Sequence, residues 1–174
     1  EIERILVVKL REALKLRAAG IGLEIVNMNP LFTRSSYKTV AEKVITHLVY
    51  TEDAARKLSE VASSKGVKAH DFVKIDTGLR RVGVKSDEAA NFLETVSGLP
   101  GLEIDGIFST LNQNDEQDKT QLKRFLEVEE EARKRGIELG MRSLASSNAI
   151  IYKPETHLDA VRSGCSFTGY IQLP

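Results

Sequence analysis

Three polar segments, each directly after a strand-like run, hold the residue types that could do chemistry. The densest is Lys74-Ile75-Asp76-Thr77-Gly78-Leu79-Arg80-Arg81-Val82-Gly83-Val84, where a carboxylate, two glycines and three cations crowd one strand end. That mixture suits a functional strand end. It equally suits an Asp-Thr-Gly turn with solvated basic residues, and composition leans towards the turn. The Asp-Thr-Gly chemistry of aspartic proteases does not apply, because it needs two carboxylates sharing a proton in an all-β setting. The second segment joins Ser146-Ser147-Asn148-Ala149 to Arg162-Ser163-Gly164-Cys165-Ser166-Phe167-Thr168-Gly169. Small hydroxyl residues and glycines there could turn backbone N–H groups towards a phosphate, or form two ordinary polar loops. The third is Ser109-Thr110-Leu111-Asn112-Gln113-Asn114-Asp115-Glu116, by itself only a long polar loop.

Other chemistry is less well supported. His47, His70 and His157 are scattered, and no His, Cys, Asp or Glu set shows metal-ligand spacing, so no metal is expected. A nucleophilic pair of His157 and Cys165 is weak, since a lone cysteine is more often a small buried apolar residue.

The elements that must position these segments follow from the apolar pattern. Short strand-like runs (Ile5–Val8, Leu23–Met28, Thr46–Tyr50, Asp71–Asp76, Leu102–Phe108, Arg142–Ser146 and Leu158–Arg162) alternate with amphipathic helical stretches. The helices are expected from Leu10 to Gly20, from about Tyr37 to Lys43, from the cap Thr51 to Gly66, after Ser86-Asp87-Glu88, and from Gln121 to Arg135. Alternation of this kind means a parallel α/β fold, either a closed βα barrel or an open doubly wound sheet. Both place ligands at the carboxyl ends of strands, where the three segments lie.

Composition sets the outer bounds. The 174 residues hold 41% hydrophobic and 29% charged side chains, enough to build a core and to exclude whole-chain disorder. Lys plus Arg and Asp plus Glu are both 25, a balance that argues against a nucleic-acid partner. One cysteine cannot form an internal disulfide, no apolar run approaches a membrane span, and no leader peptide is expected before Ile5. A closed eight-stranded barrel typically takes about 250 residues, so the length suits roughly seven βα units.

Read together and in order, these stretches resemble the N-terminal barrel domain of the alanine racemase family. Glu12-Ala13-Leu14-Lys15-Leu16-Arg17 with Gly20-Ile21, the Lys74 to Val84 stretch, Gly106 to Thr110, Gln121 to Phe125, Ala145 to Ala149 and Val161 to Gly169 carry the likeness. The resemblance implies a TIM-type (β/α)8 barrel, here about seven βα units over residues 1–174, without the family's first strand and its C-terminal β domain. It implies pyridoxal 5'-phosphate as cofactor and a small amino acid, alanine above all, as substrate. Interconversion of L- and D-alanine would proceed by two-base proton transfer at Cα. A homodimer of the longer parent and a cytoplasmic location are implied as well.

The same resemblance assigns roles. Arg162 would face the cofactor's pyridine nitrogen and, as a permanent cation, leave that nitrogen unprotonated. Ser147 with Gly164 and Cys165 would hold the phosphate. Arg81 would meet the phenolic oxygen and the substrate carboxylate, and Lys74 would be a carbamylated brace for it. Thr110 stands where the family has a histidine near the ring, Ser146-Ser147 replaces Asn-Ser, and Thr168 replaces a tyrosine. The family's Schiff-base lysine falls before this chain in register, and Lys9 is a weak surrogate. The segment by itself is therefore expected to be inactive. The departures keep open a non-catalytic cofactor carrier or scaffold. An unrelated doubly wound phosphate-binding enzyme ranks last, for lack of a glycine fingerprint after the first strand.

Overall fold

A computed structural model describes residues 2–170. Its elements are β1 (Arg4–Val7), α1 (Leu10–Ala18), β2 (Glu24–Asn27), α2 (Arg34–Glu42), β3 (Thr46–Val49), α3 (Glu52–Lys65), β4 (Ala69–Asp76), β5 (Val84–Lys85), α4 (Ala89–Ser97), β6 (Leu102–Phe108), α5 (Asp115–Lys134), β7 (Met141–Ser146), α6 (Ser147–Tyr152), a 3₁₀ turn (Pro154–Thr156) and β8 (Ala160–Arg162). Strand pairs β1–β2, β2–β3, β3–β4, β6–β7 and β7–β8 are all parallel, as the alternation demands. Seven strands make up the βα series, and β5 is a two-residue addition beside β4. Among the described residues no helix is long and apolar enough to cross a membrane.

The chain divides into two compact units, Glu1–Val73 with Thr95–Asp105, and Lys74–Glu94 with Gly106–Pro174. Strands β4 and β6 each contribute one end to each unit.

In the first unit the hydrogen-bonded order is β1-β2-β3-β4. Helix α3 begins as its sequence requires: Thr51 Oγ1 accepts from the Ala54 N–H (3.3 Å), and Glu52 and Asp53 occupy the first turn. It ends at Gly66, whose φ of 65° is left-handed. Leu58, Val61 and Ala62 on its inner face are buried, as are Ile25, Val49 and Val73 on the strands. Helix α2 starts at Arg34, because Thr33 caps it by accepting from Ser36 N–H; the apolar pattern had suggested a later start near Tyr37.

One row of this sheet breaks the apolar rule. Asn27, His47 and Asp71 are lateral neighbours on β2, β3 and β4, and each is fully buried. Asn27 Nδ2 donates to Asn29 O (2.8 Å) and lies 3.2 Å from His47 Nδ1. The Tyr37 ring meets the His47 ring edge-on at 5.9 Å. His47 Nε2 and both Asp71 oxygens find no hydrogen-bond partner among the described residues. Burial drives the His47 pKa down to about 4 and pushes that of Asp71 well up, with Asp105 adding to the latter. His70 lies within β4, which begins before the expected Asp71, and its Nδ1 pairs with Asp105 (2.8 Å). With Glu103 these two bring ligand-type atoms within 4.8 Å of one another, a grouping that sequence spacing did not show. Each is engaged within the protein, Glu103 by Lys68 (3.0 Å).

In the second unit the order runs β4-β6-β7-β8. Helix α5 starts at Asp115, well before the expected Gln121. Asn114 caps it by accepting from Gln117 N–H (3.1 Å), and Asp115, Glu116 and Asp118 line the first turn. Phe125, Val128 and Ala132 pack its buried face. Arg142 on β7 ties Glu129 of α5 (2.9 Å) to Asp159 (2.8 Å).

Candidate active site

All seven residues singled out for chemistry belong to the second unit, at the carboxyl ends of β4, β6, β7 and β8. The loop after β4 is shaped by Asp76, whose Oδ1 accepts from Gly78 N–H (2.9 Å) and Arg80 N–H (3.0 Å). Gly83 then brings the chain back against β4. A Cβ at Gly83 would sit 2.7 Å from Asp76 N and 3.1 Å from Lys74 O, and its φ of 130° suits only glycine. Val84 and Lys85 pair with Ile75 and Asp76, so Arg80 and Arg81 project from an anchored loop.

Lys74 is 3% exposed, and its Nζ lies 2.9 Å from Thr110 Oγ1, within hydrogen-bond distance. Burial holds its pKa well below the usual lysine value, and the charges of Arg162 and Arg81 lower it further while Asp76 opposes them. Arg81 itself is exposed.

Arg162 on β8 is hydrogen-bonded to oxygens alone. Nη1 donates to Ser143 O (3.0 Å) and Ser143 Oγ (2.8 Å). Nη2 donates to Ser109 O (2.7 Å), and lies 3.4 Å from both Thr110 Oγ1 and Leu144 O. None of these partners is a carboxylate, and Nε–H has no partner among the described residues. Burial brings the Arg162 pKa down to about 10. Lys74 Nζ and Arg162 Cζ both lie over the Phe108 ring, at 4.6 and 4.7 Å from its centroid.

Ser147, the first residue of α6, accepts at Oγ from Gly164 N–H (2.9 Å) and Ser166 N–H (3.3 Å). The two amides on the serine thus belong to Gly164 and Ser166. Cys165 is exposed, contrary to the reading of a buried apolar cysteine, and its carbonyl accepts from Thr168 Oγ1 (3.2 Å) and Tyr170 N–H (3.0 Å). His157 Nε2 meets Ile150 O (3.0 Å) instead of a thiol.

The stretch Gln121 to Phe125 carried part of the likeness, but sequence reasoning gave no role to its groups that fix Thr110. Gln121 Nε2 donates to Thr110 O (2.9 Å) and Thr77 Oγ1 (3.3 Å), and its Oε1 accepts from Asn112 N–H (2.8 Å). Thr77 Oγ1 meets Ser109 Oγ at 2.8 Å, and Arg124 Nη1 donates to Thr77 O (3.0 Å). A glutamine and an arginine three residues apart on one face of a charged helix were the available signal.

The arrangement is a buried cationic centre at the strand ends of a parallel α/β unit, beside a serine that gathers loop amides. Its fold class is that of a βα barrel. Residues 1–172 match the family model described as alanine racemase, N-terminal domain, and the chain belongs to that family. It is 38% identical over 173 residues to the alanine racemase of Clostridium tetani (strain Massachusetts / E88), covering 96% of this chain and 44% of that protein. It is 37% identical over 164 residues to the alanine racemase of Desulfovibrio desulfuricans (strain ATCC 27774 / DSM 6949 / MB), covering 92% and 44%. Among solved structures, the alanine racemase of Clostridium difficile 630 in complex with cycloserine superposes with a TM-score of 0.89 at 25% identity, over 94% of this chain and 46% of that one. The alanine racemase from D-cycloserine-producing Streptomyces lavendulae gives 0.85 at 28%, over 94% and 44%. The chain therefore spans less than half the length of these relatives, and it has their barrel-type fold of βα units.

Proposed function

We propose that this chain is the cofactor-holding part of an amino-acid racemase that interconverts L- and D-alanine, with pyridoxal 5'-phosphate as the bound group. The observation that carries this is Arg162: a buried guanidinium, anchored only by neutral oxygens, with Nε–H still to donate. A ring nitrogen fits that donor, and an arginine does not surrender its proton to it. When bound, pyridoxal phosphate supplies an electron sink for the pair left at Cα once the proton departs.

The remaining work falls to the chain's own groups. Ser147 O–H is free to donate to a phosphate oxygen, since its lone pairs are met by Gly164 and Ser166 N–H, and Gly164 and Cys165 would complete that contact. Arg81, exposed in the loop after β4, would meet a substrate carboxylate bidentately. Lys74, displaced towards its free amine by two arginines and burial, suits carbamylation. That change would place a negative charge within the field of Arg162 and Arg81. Thr110 lies beside both cations and would border the ring.

A homodimer of the whole protein and a cytoplasmic setting complete this reading, supported by kinship with the racemases above. The test is cofactor affinity. Titrating the chain with pyridoxal phosphate, by absorbance and equilibrium dialysis, is expected to show saturable binding that Ser147→Ala weakens at least tenfold. Equal affinity in the variant would remove the phosphate site from Ser147. Binding that persists without racemisation in the entire protein would leave a non-catalytic carrier.

A further inference from the structure

Thr110 is the meeting point of the two buried cations, and the details of that meeting are specific. Its Oγ1 lies 2.9 Å from Lys74 Nζ and 3.4 Å from Arg162 Nη2. The side chain cannot easily turn away. Threonine is stiff at χ1, and its backbone is fixed by Gln121 Nε2 on the carbonyl at 2.9 Å. A hydroxyl has one proton and two lone pairs, and a guanidinium only donates. Once Oγ1 accepts from Arg162, its own proton needs an acceptor. A free amine at Lys74 supplies one; an ammonium does not, and would make Oγ1 accept from two cations with its own proton unplaced.

We propose that Thr110 is a positioning residue whose hydroxyl, accepting from Arg162 and donating to Lys74, holds the lysine as a free amine ready to take up carbon dioxide. The inference rests on the carbamylation of Lys74 given above, and adds the group that controls it. In the step itself the Nζ lone pair forms a bond to the carbon of carbon dioxide. One C=O pair moves onto oxygen, and an N–H proton leaves to solvent, giving a carbamate anion. The reaction is reversible and needs no oxidant or reductant. The anion then lies beside Arg162, and the hydroxyl can turn to donate to a carbamate oxygen. Burial of Lys74, which lowers its pKa, acts in the same direction as the hydroxyl.

The test uses the chain with ¹³C-labelled bicarbonate, followed by ¹³C NMR from pH 6 upward (about pH 6 to 10), in wild type, Thr110→Ser, Thr110→Val and Lys74→Ala. Expected are a carbamate resonance absent from Lys74→Ala, a midpoint displaced about one pH unit upward in Thr110→Val, and restoration in Thr110→Ser. A purely packing role for Thr110 would favour the isosteric valine and leave serine impaired, the opposite order. An unchanged midpoint in Thr110→Val overturns the inference. If wild type shows no carbamate at any pH, the carbamylation reading fails separately. The titration of the Lys74 amine, read by NMR in the same proteins, then decides on Thr110: a higher pKa in the valine variant upholds its hold on the amine, and an unchanged one ends it.

Discussion

Lys74 and Arg162 share one aromatic platform: Lys74 Nζ and the guanidinium carbon stand 4.6 and 4.7 Å from the centroid of Phe108. Two basic groups gathered on one ring are held by its π-system and by neutral oxygens, which leaves the guanidinium charge available to an incoming anion. Phe108→Leu is expected to destabilise the fold by about 2–3 kcal/mol, from lost packing and lost cation–ring attraction together. Urea unfolding measures it; a change below about 0.5 kcal/mol would show that the ring does not support the cations.

The depressed pKa of Lys74 has a signed consequence. In the unfolded chain the lysine titrates near its ordinary 10.5, and in the folded chain below it. Between those two values the unfolded state binds more protons, so stability rises with pH across that window. In carbonate-free buffer, the slope of unfolding free energy against pH above neutrality should be steeper in wild type than in Lys74→Met. Parallel curves would contradict the shift.

In the first unit, His47 and Asp71 pull in opposite directions. His47 titrates at about 4 when folded and 6.5 when unfolded, so it removes stability as pH falls through that range, about 3 kcal/mol over the full span. Asp71, whose folded pKa is raised, binds a proton more readily when folded and removes stability as pH rises from 3.8 towards that value. His47→Phe should flatten the acid side of the profile. Asp71→Asn should gain about 1–3 kcal/mol at neutral pH, since no charge then has to be buried or neutralised. The groups facing this row are Asn27, Tyr37 and, for Asp71, Asp105.

Gly83→Ala should be among the more damaging single changes. The new methyl meets backbone atoms of Asp76 and Lys74, which have no room to yield. A loss of about 2–4 kcal/mol is expected, with weaker cofactor binding through the displaced Arg81 loop. A Tm within a degree of wild type would mean the loop closes without Gly83.

Lys9 lies two residues past the end of β1 and is the N-cap of α1, where its N–H donates to Glu12 Oε2 (2.9 Å) and its side chain is exposed. After treatment with pyridoxal phosphate and borohydride, peptides holding Lys9 are expected to remain unreduced, and the chain to show no alanine racemisation. A reduced adduct at Lys9 together with racemisation would make it the reactive lysine.

Much of this was legible in the sequence because strand ends announce themselves. Lys74 lies among the last residues of a strand run, Thr110 and Ser147 follow one and Arg162 ends one, and the βα alternation says that such ends carry ligands. The start of α5 was misplaced because Asn114-Asp115-Glu116 was taken as loop polarity, when an asparagine before acids is equally a helix-start signal. Strand β5 and helix α6 are too short for any period to show. The sharing of Thr110 by Lys74 and Arg162 depends on three strands arriving in register, and no linear spacing encodes it.

The neutral anchoring of Arg162 separates two properties that salt usually confounds. Ion pairs loosen as counterions screen them, whereas bonds from a guanidinium to carbonyl and hydroxyl oxygens are largely indifferent to ionic strength. An arginine mounted in this way keeps its bearing in brine, and any weakening of anion binding by salt then reports on the visitor alone.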